Sequence, residues 1–419
     1  MLSLITHFFK SPARLVACII AASAVVSGCG GGGSSATLAP APQAAPALTS
    51  NEHQIYVDAG PANTGYNANR LYTDVTICQP GNAANCQIIP HVLVDTGSTG
   101  LRILAGVLNP SLGLQVASAP AGRPLLGCVR FVDNTFAWGP LAQADVNLGA
   151  KRALNLPVQL IADARFGHLA SNCSPGGTNI TDASVLGANG VLGIGLFLQD
   201  CGAACETTIA GRFYFTCTNF SCLGASGTTL ARNQQLQNPV ALFASDNNGV
   251  AIDLPAVGTS PSAGVVGKMV FGIGTRSNNQ PVASRVVSAD ALGYVTTVFD
   301  GRTMARSFID SGSNGLYFDS ATLPVCAGPN VSGFYCPASF TPLSATISGD
   351  NAVTLAVNFN VDNAVNSFTG TNPVLPNLSG TFADNRTFDW GLPFFFGRKV
   401  YFGFDGMASS VGTGPFYAF

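Results

Sequence analysis

With 419 residues the chain is long enough to bury a large core and divides naturally into two domain-sized units. Charged residues make up only 10%, the formal net charge is -2 at pH 7, and no run of Lys or Arg occurs, so the electrostatic footprint of a nucleic-acid binder is excluded. The 48 Gly and 25 Pro punctuate short Val/Ile/Thr-rich runs, 27 Phe are spread along the chain, and long amphipathic helices are not evident, so an all-β fold is expected.

In chain order, Lys10 and Arg14 precede an apolar stretch from Leu15 to Val26, which closes on Val26-Ser27-Gly28-Cys29. This stretch of twelve residues (15 to 26), apolar but for Ser23, is too short to span a bilayer as a helix, and the layout is that of a secretory signal over residues 1–28. The closing four residues resemble the bacterial lipobox, which implies cleavage before Cys29 and lipidation of its thiol. Gly30 in place of Asp after that cysteine implies, for a Gram-negative lipoprotein, the outer membrane. Residues 29–50 are Gly/Ser-rich and then Pro/Ala-rich, the composition of a flexible tether, so folding is expected to begin near residue 51.

Of 12 Cys, Cys18 leaves with the signal and Cys29 takes lipid; ten remain, an even number suited to an oxidising compartment. Proximity pairs Cys78 with Cys86, Cys201 with Cys205, Cys217 with Cys222 and Cys326 with Cys336, leaving Cys128 for Cys173; this is one connectivity among the many that ten cysteines allow. A zinc site from Cys201, Cys205, Cys217 and Cys222 is the rival, but its spacings do not suit the metal. No metal or cofactor is expected.

The strongest internal signal is a repeat. His91-Val-Leu-Val-Asp95-Thr96-Gly97-Ser98-Thr-Gly-Leu101 and Ser307-Phe-Ile-Asp310-Ser311-Gly312-Ser313-Asn-Gly-Leu316 share one plan: apolar strand, Asp, small hydroxyl, Gly, Ser, and two residues later Gly-Leu. Each is followed by an apolar segment ending on Gly, Asn189-Gly-Val-Leu-Gly193 and Asp389-Trp-Gly391, at separations of 98 (193 minus 95) and 81 (391 minus 310). A single Asp-Thr-Gly is an ordinary turn; two in register with a second shared feature are not.

These motifs, with Trp390-Gly-Leu-Pro-Phe and the Gly267–Gly274 run after Asn247–Leu254, resemble the pepsin-like aspartic proteases over roughly residues 51–419. The chain as a whole also resembles a proteobacterial lipoprotein family without assigned function. The first resemblance implies a bilobal double barrel or sandwich with a central cleft, one lobe over 51–245 and the other over 246–419. It implies that Asp95 and Asp310 are catalytic, that Thr96 and Ser311 tie the two loops together, and that Ser98 and Ser313 hydrogen-bond the outer carboxylate oxygens. Gly97 and Gly312 permit the tight turn and close approach of backbone N–H groups. The chemistry is self-sufficient: two facing carboxyls share one proton, one taking a proton from water while the other gives one to the amide oxygen. The expected partner is a peptide or unfolded protein, bound extended over about six to eight residues by a monomer.

The sequence departs from the family at the flap, the hairpin that covers the cleft. Its candidate here, Gly127 to Val146 around Asp133-Asn134-Thr135, offers Phe131 and Trp138 but no Tyr, and Arg102 stands where the family places the Trp that holds that Tyr, with Tyr317 as its second-half counterpart. An inactive, peptide-binding relative of the same fold is therefore the alternative expectation. In either case the place is the cell envelope, in the periplasm or at the surface.

Overall fold

The computed structural model describes residues 47–119, 122–174, 176–209, 213–218, 222, 224–328 and 330–419. The signal segment, Cys29 and the tether up to residue 46 lie outside the described residues. The described chain is mostly β; its α-helices are three short turns, Ala183–Leu186, Ala203–Thr207 and Ala364–Ser367, the first and last stopped from growing by a Gly at the C-terminus and a side-chain cap at the start, respectively. None is long and apolar enough to cross a membrane.

The main sheet has 16 strands and runs through both halves of the sequence. From the hairpin Leu125–Arg130 and Thr135–Leu148 it passes through Lys151–Ile161, Thr99–Leu104, Gly190–Ile194, Cys86–Asp95 and Tyr72–Cys78 to Glu52–Val57. That first strand pairs antiparallel with Val265–Phe271, from Glu52 opposite Val270 to Val57 opposite Val265, and so stitches the halves into one sheet. Gly249–Asp253, Lys399–Gly403 and Phe416–Ala418 continue it. A second, seven-stranded sheet holds Arg302–Ile309, Phe388–Trp390 and Leu316–Phe318. Ser245 lies in the connection between the Pro239–Leu242 turn and the strand Gly249–Asp253.

The repeat seen in sequence is a repeat of pairing. In the first half Cys86–Asp95 runs into Thr99–Leu104 through the Asp95 loop, and Gly190–Ile194 lies parallel to the former and antiparallel to the latter. In the second half Arg302–Ile309 runs into Leu316–Phe318 through the Asp310 loop, and Phe388–Trp390 makes the same two pairings. The last residues of each strand before its Asp loop, Val92–Asp95 and Ser307–Ile309, and the strands that follow and clasp the loops are buried on both faces, which is why they read as unbroken apolar runs rather than alternating ones. One apolar cluster extends from Ile55 to Tyr417 across both halves. In the second half it is aromatic: Phe388 stacks on Phe318 at 4.5 Å and on Trp390 at 4.0 Å, with Phe359 edge-on.

Five disulfides close, Cys78–Cys86, Cys128–Cys173, Cys201–Cys205, Cys217–Cys222 and Cys326–Cys336. The pairing by proximity is the one the structure has, and Cys201, Cys205, Cys217 and Cys222, tied into two of these bridges, leave no thiolate for zinc.

Candidate active site

Each Asp loop is delivered by its buried strand and clasped from below by a glycine. A Cβ at Gly193 would meet the Thr99 backbone at 2.7 Å, and one at Gly391 would meet the Gly315 carbonyl at 2.0 Å, so only glycine lets the clasping strand lie this close under the loop. The two glycines that end the apolar segments in sequence are therefore part of the loops' geometry.

Within each loop the carboxyl is held by its own turn. Asp95 Oδ1 accepts from the Gly97 amide at 2.9 Å, and Oδ2 accepts from the Ser98 hydroxyl. Asp310 Oδ1 accepts from the Gly312 amide at 2.7 Å, and Oδ2 from the Ser313 hydroxyl at 2.9 Å. The loops then lock to each other. The Thr96 amide donates to Ser311 Oγ at 3.2 Å, and the Ser311 amide donates to Thr96 Oγ1 at 2.8 Å. Ser311 Oγ donates onward to the Val94 carbonyl at 2.7 Å, and Thr96 Oγ1 to the Ile309 carbonyl at 3.4 Å. All eight residues that carried the repeat are thus brought to one place.

This lock sets the carboxyls face to face. A Cβ at Gly97 would sit 2.7 Å from Asp310 Cγ, and one at Gly312 would sit 2.6 Å from Asp95 Oδ1. Asp95 and Asp310 share a hydrogen bond, and they are 3% and 0% exposed. Burial pushes both carboxyls up. Asp310 goes well above the ordinary range, driven further by the neighbouring charges of Asp95 and Asp389. Asp95 is raised too, but the Ser98 hydroxyl, the hydrogen bond from Asp310, the Gly97 amide and the charge of Arg102 pull it back. Of the pair, Asp310 is therefore the one whose surroundings favour the protonated form more strongly, and Asp95 the one better provided for as a carboxylate.

The segment read in the sequence as a flap forms a hairpin, Leu125–Arg130 antiparallel to Thr135–Leu148, turning at Asn134 with a φ of 68°. Phe131 and Thr135 near its tip line a cavity of about 10 Å³ together with Asp95, Gly312, Leu93 and Val191. Trp138 lies elsewhere: it packs with Phe215 and Phe166 beneath the hairpin and donates Nε1–H to the Phe166 carbonyl at 2.9 Å, so of the two flap candidates only Phe131 reaches the dyad. A second cavity against the Asp95 loop, about 70 Å³, is lined by Gly97, Ser98, Phe213 and Tyr294, with Arg102 and Asp200 in its wall.

Arg102 is a buried residue, not a surface cation. It is 1% exposed, donates from Nη1 to the Thr99 carbonyl at 2.9 Å, and pairs through Nη2 with Asp200 at 3.2 Å. Asp200 also accepts from the Tyr214 hydroxyl, which in turn accepts from the Leu236 amide at 2.9 Å. Burial pushes the Asp200 carboxyl up to about 6, with Arg102 and Tyr214 acting against it. Sequence reasoning singled out Arg102 but neither partner, because nothing in the spacing links positions so far apart. It also missed Asp389, which is wholly buried in the clasping strand of the second loop. Among the described residues no group of three or more His, Cys, Asp or Glu side chains is set to hold a metal ion.

A family model described as a protein of unknown function (DUF3443) matches residues 47–419, most of the chain, and the chain belongs to that family. No curated protein matches it.

Proposed function

For this member of the DUF3443 family we propose the activity of an aspartic endopeptidase in a pepsin-like bilobal fold, anchored in the cell envelope by lipid on Cys29. The observation that carries the reading is the pair of mutually hydrogen-bonded Asp-hydroxyl-Gly-Ser loops, whose buried carboxyls share a hydrogen bond. In this reading Asp95, ionised, takes a proton from the attacking water while Asp310, protonated, gives one to the carbonyl oxygen of the scissile amide. The resulting gem-diol collapses as Asp95 gives its proton to the nitrogen and Asp310 takes one from a diol hydroxyl; the C–N bond breaks, amine and carboxylic acid leave, and the dyad again has Asp95 ionised and Asp310 protonated. Phe131 and Thr135 close over Asp95 and exclude bulk water. The substrate is an extended segment of peptide or unfolded protein, and the chain works as a monomer.

A second reading, a peptide-binding protein without catalysis, draws on two observations: the hairpin has no Tyr, and Arg102 is committed to Asp200. Purified full chain, incubated with denatured casein from about pH 3 to about pH 7, separates the two. Cleavage that disappears in both Asp95→Asn and Asp310→Asn supports the enzyme. Cleavage absent from the parent protein at every pH, or untouched in the variants, leaves the binding protein.

A further inference from the structure

The repeat lets the two halves be compared position by position. Val191 pairs with Leu93, two residues before Asp95, and with Arg102 across the clasp; Asp389 pairs with Phe308, two residues before Asp310, and with Tyr317. Asp389 therefore stands to Asp310 as Val191 stands to Asp95, and Val191 lines the cavity that contains Asp95. Strand alternation sends Phe388 and Trp390 together into the aromatic core, where they stack, and turns Asp389 to the opposite side. There it is 0% exposed, and neither carboxyl oxygen has a well-formed hydrogen bond; the Ser313 hydroxyl is the one donor near enough to act on it. Where one half of the molecule uses a valine, the other buries an acid beside the dyad.

Such a group is expensive in its charged form. The titratable groups that face it are Asp310 and Asp95 from the two loops and Tyr317 from the paired strand, on which Arg70 also acts. The Ser313 hydroxyl, already donating to Asp310, favours its ionised form; burial and the Asp95 charge oppose it and push the Asp389 carboxyl well above the ordinary range.

We propose that Asp389 is a third acid of this cluster, a positioning residue that keeps the proton on Asp310 as the surroundings approach neutrality. The inference rests on Asp95 and Asp310 forming the working dyad. In the working state of the proposed dyad the three carboxyls carry one negative charge, on Asp95. As the pH rises, the next proton leaves either Asp310, which ends the working state, or Asp389, which preserves it. Once Asp389 is charged, its repulsion makes the Asp310 proton harder still to remove. A valine at this position has no proton to give up, and the dyad would lose its own first.

Two measurements test this on the full chain. The first is the pH profile of kcat/KM for casein peptides; Asp389→Asn should move its alkaline limb to lower pH by about one unit, the order expected of one buried like charge at close range. The second needs no activity: infrared titration of buried protonated carboxyls, with the amide variant showing one titrating group fewer and releasing the remaining proton about one unit lower. Asp389→Val, which installs the first-half residue, should give the same shift and serves if the amide variant does not fold. A remaining proton released at an unchanged pH overturns the inference, whether or not the protein cleaves. A shifted titration in a protein that cleaves nothing upholds the coupling and overturns the protease reading instead.

Discussion

Ser311→Ala is the most direct test of the lock between the Asp loops, because its outcome does not depend on any activity. Two buried groups lose a partner: the Thr96 amide, now donating to Ser311 Oγ at 3.2 Å, and the Val94 carbonyl, now accepting from it at 2.7 Å. Ser311 itself is 0% exposed, so water does not replace the hydroxyl without opening the loop. An unsatisfied buried donor or acceptor costs about 1–3 kcal/mol, and the carbonyl keeps a second lone pair, so a loss of about 2–4 kcal/mol is expected. Urea unfolding followed by tryptophan fluorescence measures it, since Trp390 accepts from the Asp310 amide at 3.0 Å through its carbonyl and reports on the loop directly. Thr96→Val, which removes the acceptor of the Ser311 amide at 2.8 Å, should lose a similar amount. The double variant should cost less than the sum by about 0.5–3 kcal/mol, because either change already loosens the same contact. A loss below about 0.5 kcal/mol in Ser311→Ala, the range of an uninvolved surface position, would refute the lock.

Two further outcomes follow from buried features outside the dyad. Arg102→Met leaves the Asp200 carboxyl, 6% exposed, without its cation. The Asp200 value is already about 6 and rises further without Arg102, so the deficit is smallest in acid, where Asp200 is neutral. It should grow from about pH 5 to about pH 8 and reach about 3–5 kcal/mol; an equal fall in Tm at both pH values would contradict this. Replacing Cys128 and Cys173 together by Ala opens a loop of 45 residues, for which chain entropy gives a loss of about 4 kcal/mol; calorimetry showing less than about 1 kcal/mol would mean that the loop is ordered without its bridge.

What the sequence discloses, and what it hides, divides along physical lines. The Asp loops were legible because a tight turn, two hydroxyls and a clasping glycine must each sit at fixed offsets, and the chain writes that set twice. The disulfides were legible because four of them close short loops, which leaves one pairing for the remainder. The all-β character followed from short β-branched runs between Gly and Pro. Arg102 with Asp200 and Tyr214 was not legible, since a buried ion pair is made by three-dimensional proximity and leaves no periodic mark. Trp138 read as a cleft residue because it lies on the right hairpin; strand alternation instead turns it toward Phe215. Asp389 was in plain view as the start of the Gly391 segment, and aligning Gly391 with Gly193 would have set it opposite Val191, an acid against a valine.

The strand Glu52–Val57 has a consequence for how the molecule assembles. It is the first strand of the folded part to be synthesised, yet Glu52 pairs with Val270, 218 positions later (270 minus 52). Until the chain past Phe271 is available, that strand waits with the ladder groups on one edge unpaired, its other edge meeting Tyr72–Cys78, so the first half cannot finish folding as an independent unit. Contacts of such range are slow to form, and an unpaired strand edge recruits other chains. A fragment ending near Ser245 would therefore be a sticky intermediate rather than a small stable protein.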